Sequence, residues 1–335
     1  MKKILSLMLA LMMLILCGCA AEETKKEKKE LTPEQRAEQE GTSVFYQEMQ
    51  ENTRPFAVMI DNDVEASRPQ MGLESAYIVY EAVVEGSATR FMALFKDIED
   101  MEKVGPVRSS RHYFLDYAIE NDAIYAHAGW TDRAAAEITS RGVNNINGLF
   151  EDSAFYRDNT YDNTWHNLYL NPEKISKVAD NKKYRRETDV KLLTYHENDV
   201  KPKGETNAGI LIPYADFYKV EFTYNAETKL YERFVNGKPH MSQTGDGLTA
   251  KNIIVYYVQD VPLNDGIYAP RRDLKNLGSG EGYYLSEGVA VPITWEKQTH
   301  DGQTIYKTAD GKTLTVNPGN TYIQLVPTYI SYTLK

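Results

Sequence analysis

The run AYIVYEAVVE (76–85), followed after Gly86-Ser87-Ala88 by TRFMALF (89–95), constrains the fold more than any other stretch. Both runs are β-branched and aromatic, and the break between them carries glycine, so they predict an antiparallel hairpin. In the first run Ala76, Ile78, Tyr80, Ala82 and Val84 share one face, while Tyr77, Val79, Glu81, Val83 and Glu85 share the other. FAVMID (56–61) reads as a buried strand entering an Asp-Asn-Asp loop. After the hairpin come a helix near 109–120 and a strand over AIYAHAG (123–129). A second helix near 132–141 starts at Asp132 and closes at Gly142, and a third begins at Pro172 and runs to about Asp180. Strands and helices interleave, which predicts an α/β domain with a mixed sheet over residues 54–200.

The pattern changes after the polar, Pro- and Gly-containing residues 197–208, which mark a domain boundary. VEFTY (220–224), LYERFV (230–235), IIVYYV (253–258), VAVPITW (289–295), TIYKT (304–308) and YIQLVP (322–327) are short strand runs between Gly, Asp and Asn turns. They predict a mainly-β domain over 209–335. Gly278-Ser279-Gly280-Glu281-Gly282 imitates a phosphate loop, but no helix follows, so a flexible turn is expected.

The first residues speak to location. Met1-Lys2-Lys3 is a basic start, and Ile4–Leu16 is an apolar run too short to span a bilayer comfortably. It ends in Leu16-Cys17-Gly18-Cys19-Ala20, which resembles a bacterial lipobox. The expectation is a lipoprotein signal peptide over 1–18 and lipidation at Cys19. The two acyl chains of a diacylglycerol suffice for stable anchoring on the extracytoplasmic face of the cell membrane. Residues 19–53 then read as a polar, solvated stalk, helical in part after Thr32-Pro33. Both cysteines lie in the leader segment, so a mature chain has no disulfide, thiolate metal site or cysteine nucleophile. Losing Lys2 and Lys3 takes the net charge from −10 to −12, a poor match for a phosphate backbone, so no nucleic-acid partner is expected.

KVGPVRSSRHYF (103–114) places Arg108 and Arg111 at an expected helix start, where acidic residues are usual. Ser109 or Ser110 is positioned to cap that helix. Two guanidiniums there form a receptor for a carboxylate or phosphate, supplied either by this chain's own acids or by an outside ligand. Asp61, Asp63, Glu81 and Glu85 are the internal candidates. Glu81 and Glu85 stand about 13 Å apart along a strand. That exceeds the roughly 5–9.5 Å of glycosidase pairs, and ion pairing with Arg90 across the hairpin is the competing role. His127 ends a strand, a usual place for ligand sites in α/β sheets, or serves as a hydrogen-bonded sheet-edge residue. His166 and Asn167 sit in a polar loop, and His240 in GKPH reads as a turn residue. No histidine pair has metal-ligand spacing, and Asp61-Asn62-Asp63 lacks the rest of an EF-hand, so neither a metal nor a cofactor is expected.

RPFAVMIDN (54–62), RPQ-G (68–72), IVYEAVVEG (78–86), TRFMALF, VGPVRSSR (104–111), HNLY (166–169), GKPH (237–240) and GNTYIQLVP (319–327) together resemble the YerB-like family of Gram-positive lipoproteins. The resemblance covers most of the chain after the stalk and implies a membrane-anchored, extracytoplasmic protein of α/β plus β organisation. It supplies no function. Ser87 stands where the family often has a second glycine, which a turn tolerates.

Two functional readings follow. The first is a non-enzymatic binding or interaction module of the cell envelope, with a role in wall assembly. It would recognise an anionic or sugar-bearing ligand or an envelope protein through Arg108, Ser109, Arg111, Arg90, Asp61, Asn62, Glu81, Glu85, His127, His166 and Asn167. The 24 tyrosines suit contact surfaces of that kind. The second is a hydrolase of wall polymers, with Asp61 or Glu81 as base and Arg108 stabilising developing charge.

Overall fold

The computed structural model describes residues 31–63, 68–162, 164–263 and 271–335. The leader and Cys19 lie outside the described residues.

Regular structure is already present over residues 33–50, ahead of the expected position 54. Thr32 caps helix α1 (Pro33–Glu40) through a capping box with Gln35, Pro33 opens it, and Gly41 closes it in the left-handed region. Ser43 caps helix α2 (Val44–Gln50). Residues 33–50 are therefore not a free stalk. Ala37, Gln47 and Met49 are buried, and Lys96 Nζ donates to the carbonyls of Glu48, Met49 and Glu51. The segment docks mainly through hydrogen bonds to charged groups, which its polar composition concealed.

The expected strands around the hairpin form as β1 (Phe56–Asn62), β2 (Ile78–Val83) and β3 (Thr89–Phe95), every residue of which is buried. β3 lies antiparallel between β2 and β1. Helix α3 (His112–Glu120) begins three residues later than expected, then β4 (Ile124–His127) pairs parallel with β1. Thr131 caps α4 (Asp132–Ser140), and β5 (Asn145–Asn147) pairs parallel with β4. A ribbon of β6 (Phe155–Arg157) and β7 (Leu168–Leu170) precedes α5 (Pro172–Asn181). The N-terminal region is mixed helix and strand; the C-terminal region is mainly strand.

The C-terminal region supplies β8 (Gly209–Ala215), β9 (Tyr218–Asn225), β10 (Leu230–Val235) and β11 (Lys238–Pro239), which form most of a smaller sheet in the order β11-β10-β9-β8. Its other strands are β12 (Asn252–Pro262), β13 (Gly278–Ser286), β14 (Val289–Lys297), β15 (Ile305–Thr308) and β16 (Thr321–Pro327). These do not stand apart from the first half. β16 lies between β2 and β12, parallel to both, so one sheet runs β15-β14-β13-β12-β16-β2-β3-β1-β4-β5 among the described residues. The two halves differ in local character yet share this sheet and a single buried core.

Two expectations about loops are corrected. Gly278–Gly282 is not a turn but the start of β13, paired with β14. A Cβ on Gly280 would meet the Trp295 indole at 2.7 Å, and one on Gly282 would meet Val255 O at 2.4 Å, so the glycines let neighbouring groups approach. His240 is buried rather than in an open turn.

Candidate functional site

β1, β4 and β5 run parallel, and Asp61, His127 and Asn147 lie at or near their carboxyl ends. Such ends are where α/β sheets place ligands. The segment carrying Arg108 crosses this region. Arg108 N donates to Met59 O at 2.9 Å, Ala128 N donates to Arg108 O at 2.9 Å, and Ser110 N donates to Gly129 O at 2.9 Å. These bonds hold residues 108–110 extended, which is why α3 starts only at His112. Neither serine caps it: Ser109 Oγ donates to Ala128 O, and Ser110 Oγ accepts from Tyr125. Arg111 occupies the N-cap position without a side-chain cap. Of the two expected sources of an acid, this chain's own carboxylates meet both arginines, in direct ion pairs.

Arg108 Nε lies 2.8 Å from Asp61 Oδ2, and His166 Nδ1 donates to the same oxygen at 2.7 Å. Burial works against the Asp61 carboxylate, but the His166 hydrogen bond and the charges of Arg108 and Arg90 outweigh it and hold its pKa below the usual value. The Asp61 bond raises the pKa of His166, with burial and Arg108 opposing. Arg111 grips Glu85 with two bonds of 2.6 Å. Burial opposes ionisation of Glu85, yet Arg111 holds its pKa down. Arg90 is buried between these pairs and donates to Ser109 O at 2.5 Å, with no carboxylate within ion-pair distance among the described residues. Burial first, then repulsion by Arg111, pushes its pKa down to about 10.

Other expected members are elsewhere. Residues on a strand alternate faces, and the register sets Asp61 opposite Arg90, Asn62 opposite Thr89, and Glu81 opposite Phe91. Asp61 and Arg90 thus share one face, and Asn62 and Glu81 the other. Glu81 does not pair with Arg90; its Oε2 accepts from Arg233 Nη2 at 2.9 Å and its Oε1 from Tyr218 at 2.6 Å, and both partners of the ion pair are fully buried. Glu85 escapes this alternation because β2 ends at Val83. His127 is buried on an inner strand rather than at a sheet edge. Its Nδ1 donates to Gly129 O at 2.8 Å, and burial pushes its pKa down to about 4, so it carries no charge for a ligand. Asn167 braces its own loop by accepting from Arg157 and donating to Asn159.

The sequence reading missed the rim. Trp165 and Phe150 are 70% and 71% exposed, and Trp130 is 38% exposed. Trp130 is bridged to Ser110, its ring lies 5.8 Å from that of Phe150, and Trp165 O lies 3.5 Å from Arg108 Nη1. The available signal was tryptophan in a polar loop, DNTWHN, with no apolar periodicity to bury it.

Among known proteins, a family model described as "Protein of unknown function (DUF3048) N-terminal domain" matches residues 42–185, and its C-terminal counterpart matches 210–323. A protein named "Putative lipoprotein YerB" from Bacillus subtilis (strain 168) is 34% identical over 280 residues, spanning 82% of this chain and 81% of the relative. The chain belongs to the DUF3048 family. The crystal structure of the YerB protein from Bacillus subtilis superposes with a TM-score of 0.74 at 30% identity, covering 86% of this chain and 96% of that one. The YerB-like resemblance is thus confirmed across both halves. Neither the family description nor the relative's name assigns a ligand or a reaction.

The Asp61–His166 pair gives a pH signature. His166 has a raised folded pKa, so its contribution to stability is full below its ordinary value near 6.5 and is lost as pH rises through the raised value. The stability difference between wild type and His166→Gln is expected to shrink as pH rises above that window. Urea melts at pH 6 and 9 check this, and equal differences at both would show that the pair does not couple to folding. Asp61, with its lowered pKa, contributes stability at neutral pH that is lost only in acid.

Proposed function

We propose that this protein is a lipid-anchored, extracytoplasmic binding module of the cell envelope that takes a sugar-bearing ligand with an acidic group. Cys19 is the proposed lipidation site after removal of residues 1–18, a reading supported by the leader sequence and by the relative's name. One observation carries the binding role: exposed Trp130, Phe150 and Trp165 flank Arg108 at the carboxyl ends of parallel strands. Aromatic faces offer rigid contact for sugar rings, and Arg108, its side chain a quarter exposed, offers a guanidinium to a ligand acid. Asp61 and Glu85 are taken up by Arg108 and Arg111 within the chain, so these pairs set the shape of the site while the rim meets the ligand.

Two of the three tryptophans stand on this rim, so intrinsic fluorescence reports on it. N-acetylmuramic acid is expected to change the signal saturably, and N-acetylglucosamine, which lacks the lactyl carboxylate, to bind roughly tenfold more weakly. Trp165→Ala should weaken both sugars, and Arg108→Ala should erase the preference between them. Identical responses of wild type and both variants would remove the site.

A second reading rests on the Asp61–His166 pair, whose geometry leaves His166 Nε2 without a hydrogen bond among the described residues. An imidazole oriented in this way can accept a proton from water, which supports a hydrolase of wall polymers. Release of soluble fragments from purified peptidoglycan, lost in His166→Gln, would favour it over simple binding.

A further inference from the structure

A cavity of about 390 Å³ opens between Arg68-Pro69 and the β10–β11 hairpin, with Val235, Lys238, Pro239 and Met241 also in its walls. Its size falls within the range of small-molecule sites. It lies on the opposite face of β1 from the Arg108 site, since Arg68 is held by Asn62 whereas Arg108 is held by Asp61.

Charge is the informative feature. Two cations line the cavity, and among the described residues no acid does. Beneath it, Arg233 is matched by Glu81, and Tyr218 is a neutral phenol that donates to Glu81 Oε1. His240, which also reaches the cavity, adds no charge: its Nδ1 accepts from Arg233 and its Nε2 donates to Gln70 Oε1 at 2.7 Å, so Nδ1 bears no proton. Burial and the flanking arginines push its pKa well below the ordinary value. Arg68 is left over. Its Nη2 donates to Asn62 Oδ1 at 2.7 Å, its guanidinium sits 5.4 Å from the Tyr218 ring centre, and it has no carboxylate within ion-pair distance among the described residues. Glu81, the acid of this cluster, is engaged by Arg233, Tyr218 and Thr89. Among the described residues, Arg68 and Arg233 against Glu81 leave one positive charge in a largely desolvated cluster.

We propose that this cavity is a second ligand site, specific for a small organic monocarboxylate with an apolar body. The carboxylate would balance Arg68, and Val235, Pro69, Pro239 and Met241 would receive the hydrocarbon. One surplus charge selects a monoanion over a phosphate dianion. Lys238 is exposed at the rim and attracts the acid without being desolvated.

Hexanoate and its neutral analogue hexan-1-ol test this by isothermal titration against the full mature chain. Hexanoate is expected to bind saturably, one to one, and at least about tenfold more tightly than hexanol, the scale of a charge-assisted bond. Arg68→Met should equalise the two. Met241→Trp, which fills the cavity and leaves every charge in place, should weaken both while the melting temperature holds; it keeps the test decisive if Arg68→Met fails to fold. Arg108→Ala should leave hexanoate binding unchanged, which separates this site from the proposed sugar site. Equal affinity for the acid and the alcohol, absence of saturation, or hexanoate binding untouched by Met241→Trp would each overturn the proposal.

Discussion

Arg233→Met is expected to destabilise the protein by about 3–5 kcal/mol, the cost of stranding a buried charge. Arg233 and Glu81 are both inaccessible to water, and the guanidinium also donates to Tyr218 and to His240. Removing it leaves Glu81 with hydrogen bonds from Tyr218, Thr89 and Asn62 but no cation within ion-pair distance among the described residues. Because Glu81 is on β2 of the shared sheet and Arg233 is on β10 of the smaller one, the loss falls on the junction of the two halves. Thermal unfolding should show a fall of roughly 10 °C for a protein of this size. The double variant Glu81→Leu/Arg233→Met should be more stable than Arg233→Met alone, since it no longer buries a carboxylate stripped of its ion-pair partner. A single variant within about 1 kcal/mol of wild type would mean that water reaches this pair.

Gly209→Ala is expected to cost about 3 kcal/mol or more, from backbone strain and overpacking together. Gly209 has a φ of +151°, and a Cβ there would lie 2.0 Å from Phe222 O and 3.1 Å from Thr223 Cα. Both obstacles are backbone of β9, the strand paired with Gly209. The main chain would have to separate, breaking the ladder of β8 with β9 and the bond from Lys335 N to Gly209 O. Gly311→Ala is the matched control: φ is +79° and an added methyl would meet nothing within 4 Å, so about 1–2 kcal/mol of left-handed strain is the whole effect. Urea denaturation of the two variants should separate them clearly, and equal costs would show that crowding at Gly209 relaxes.

Much of the local structure is legible in the sequence because it rests on short-range rules. The hairpin of β2 and β3, the buried β1, the proline start of α5 and the alternating strands beyond residue 209 all form near their expected places. The alternation in LYERFV carries a further clue. Tyr231, Arg233 and Val235 form its buried face, and an arginine among buried neighbours implies a buried acid partner. Helix α3 departs from its expected start because the extended pairing of residues 108–110 with β1 and with residues 128–129 overrides the local capping signal. Residues 33–50 have the composition of a solvated stalk, yet charged side chains dock them.

Sequence alone determined the periodicities, hence the elements and their buried faces, and the family motifs carried by RPFAVMIDN, VGPVRSSR and GNTYIQLVP. Which acid met which arginine was decided only by the tertiary structure. Asp61 and Asn62 are adjacent in the chain, yet β-strand alternation sends one to Arg108 and the other to Arg68. The insertion of β16 between β2 and β12 joins residues about 240 positions apart in one sheet, and no local pattern encodes it. Ion pairing depends on distances of a few ångströms between groups far apart in sequence, so which charges meet was settled by strand register and sheet order.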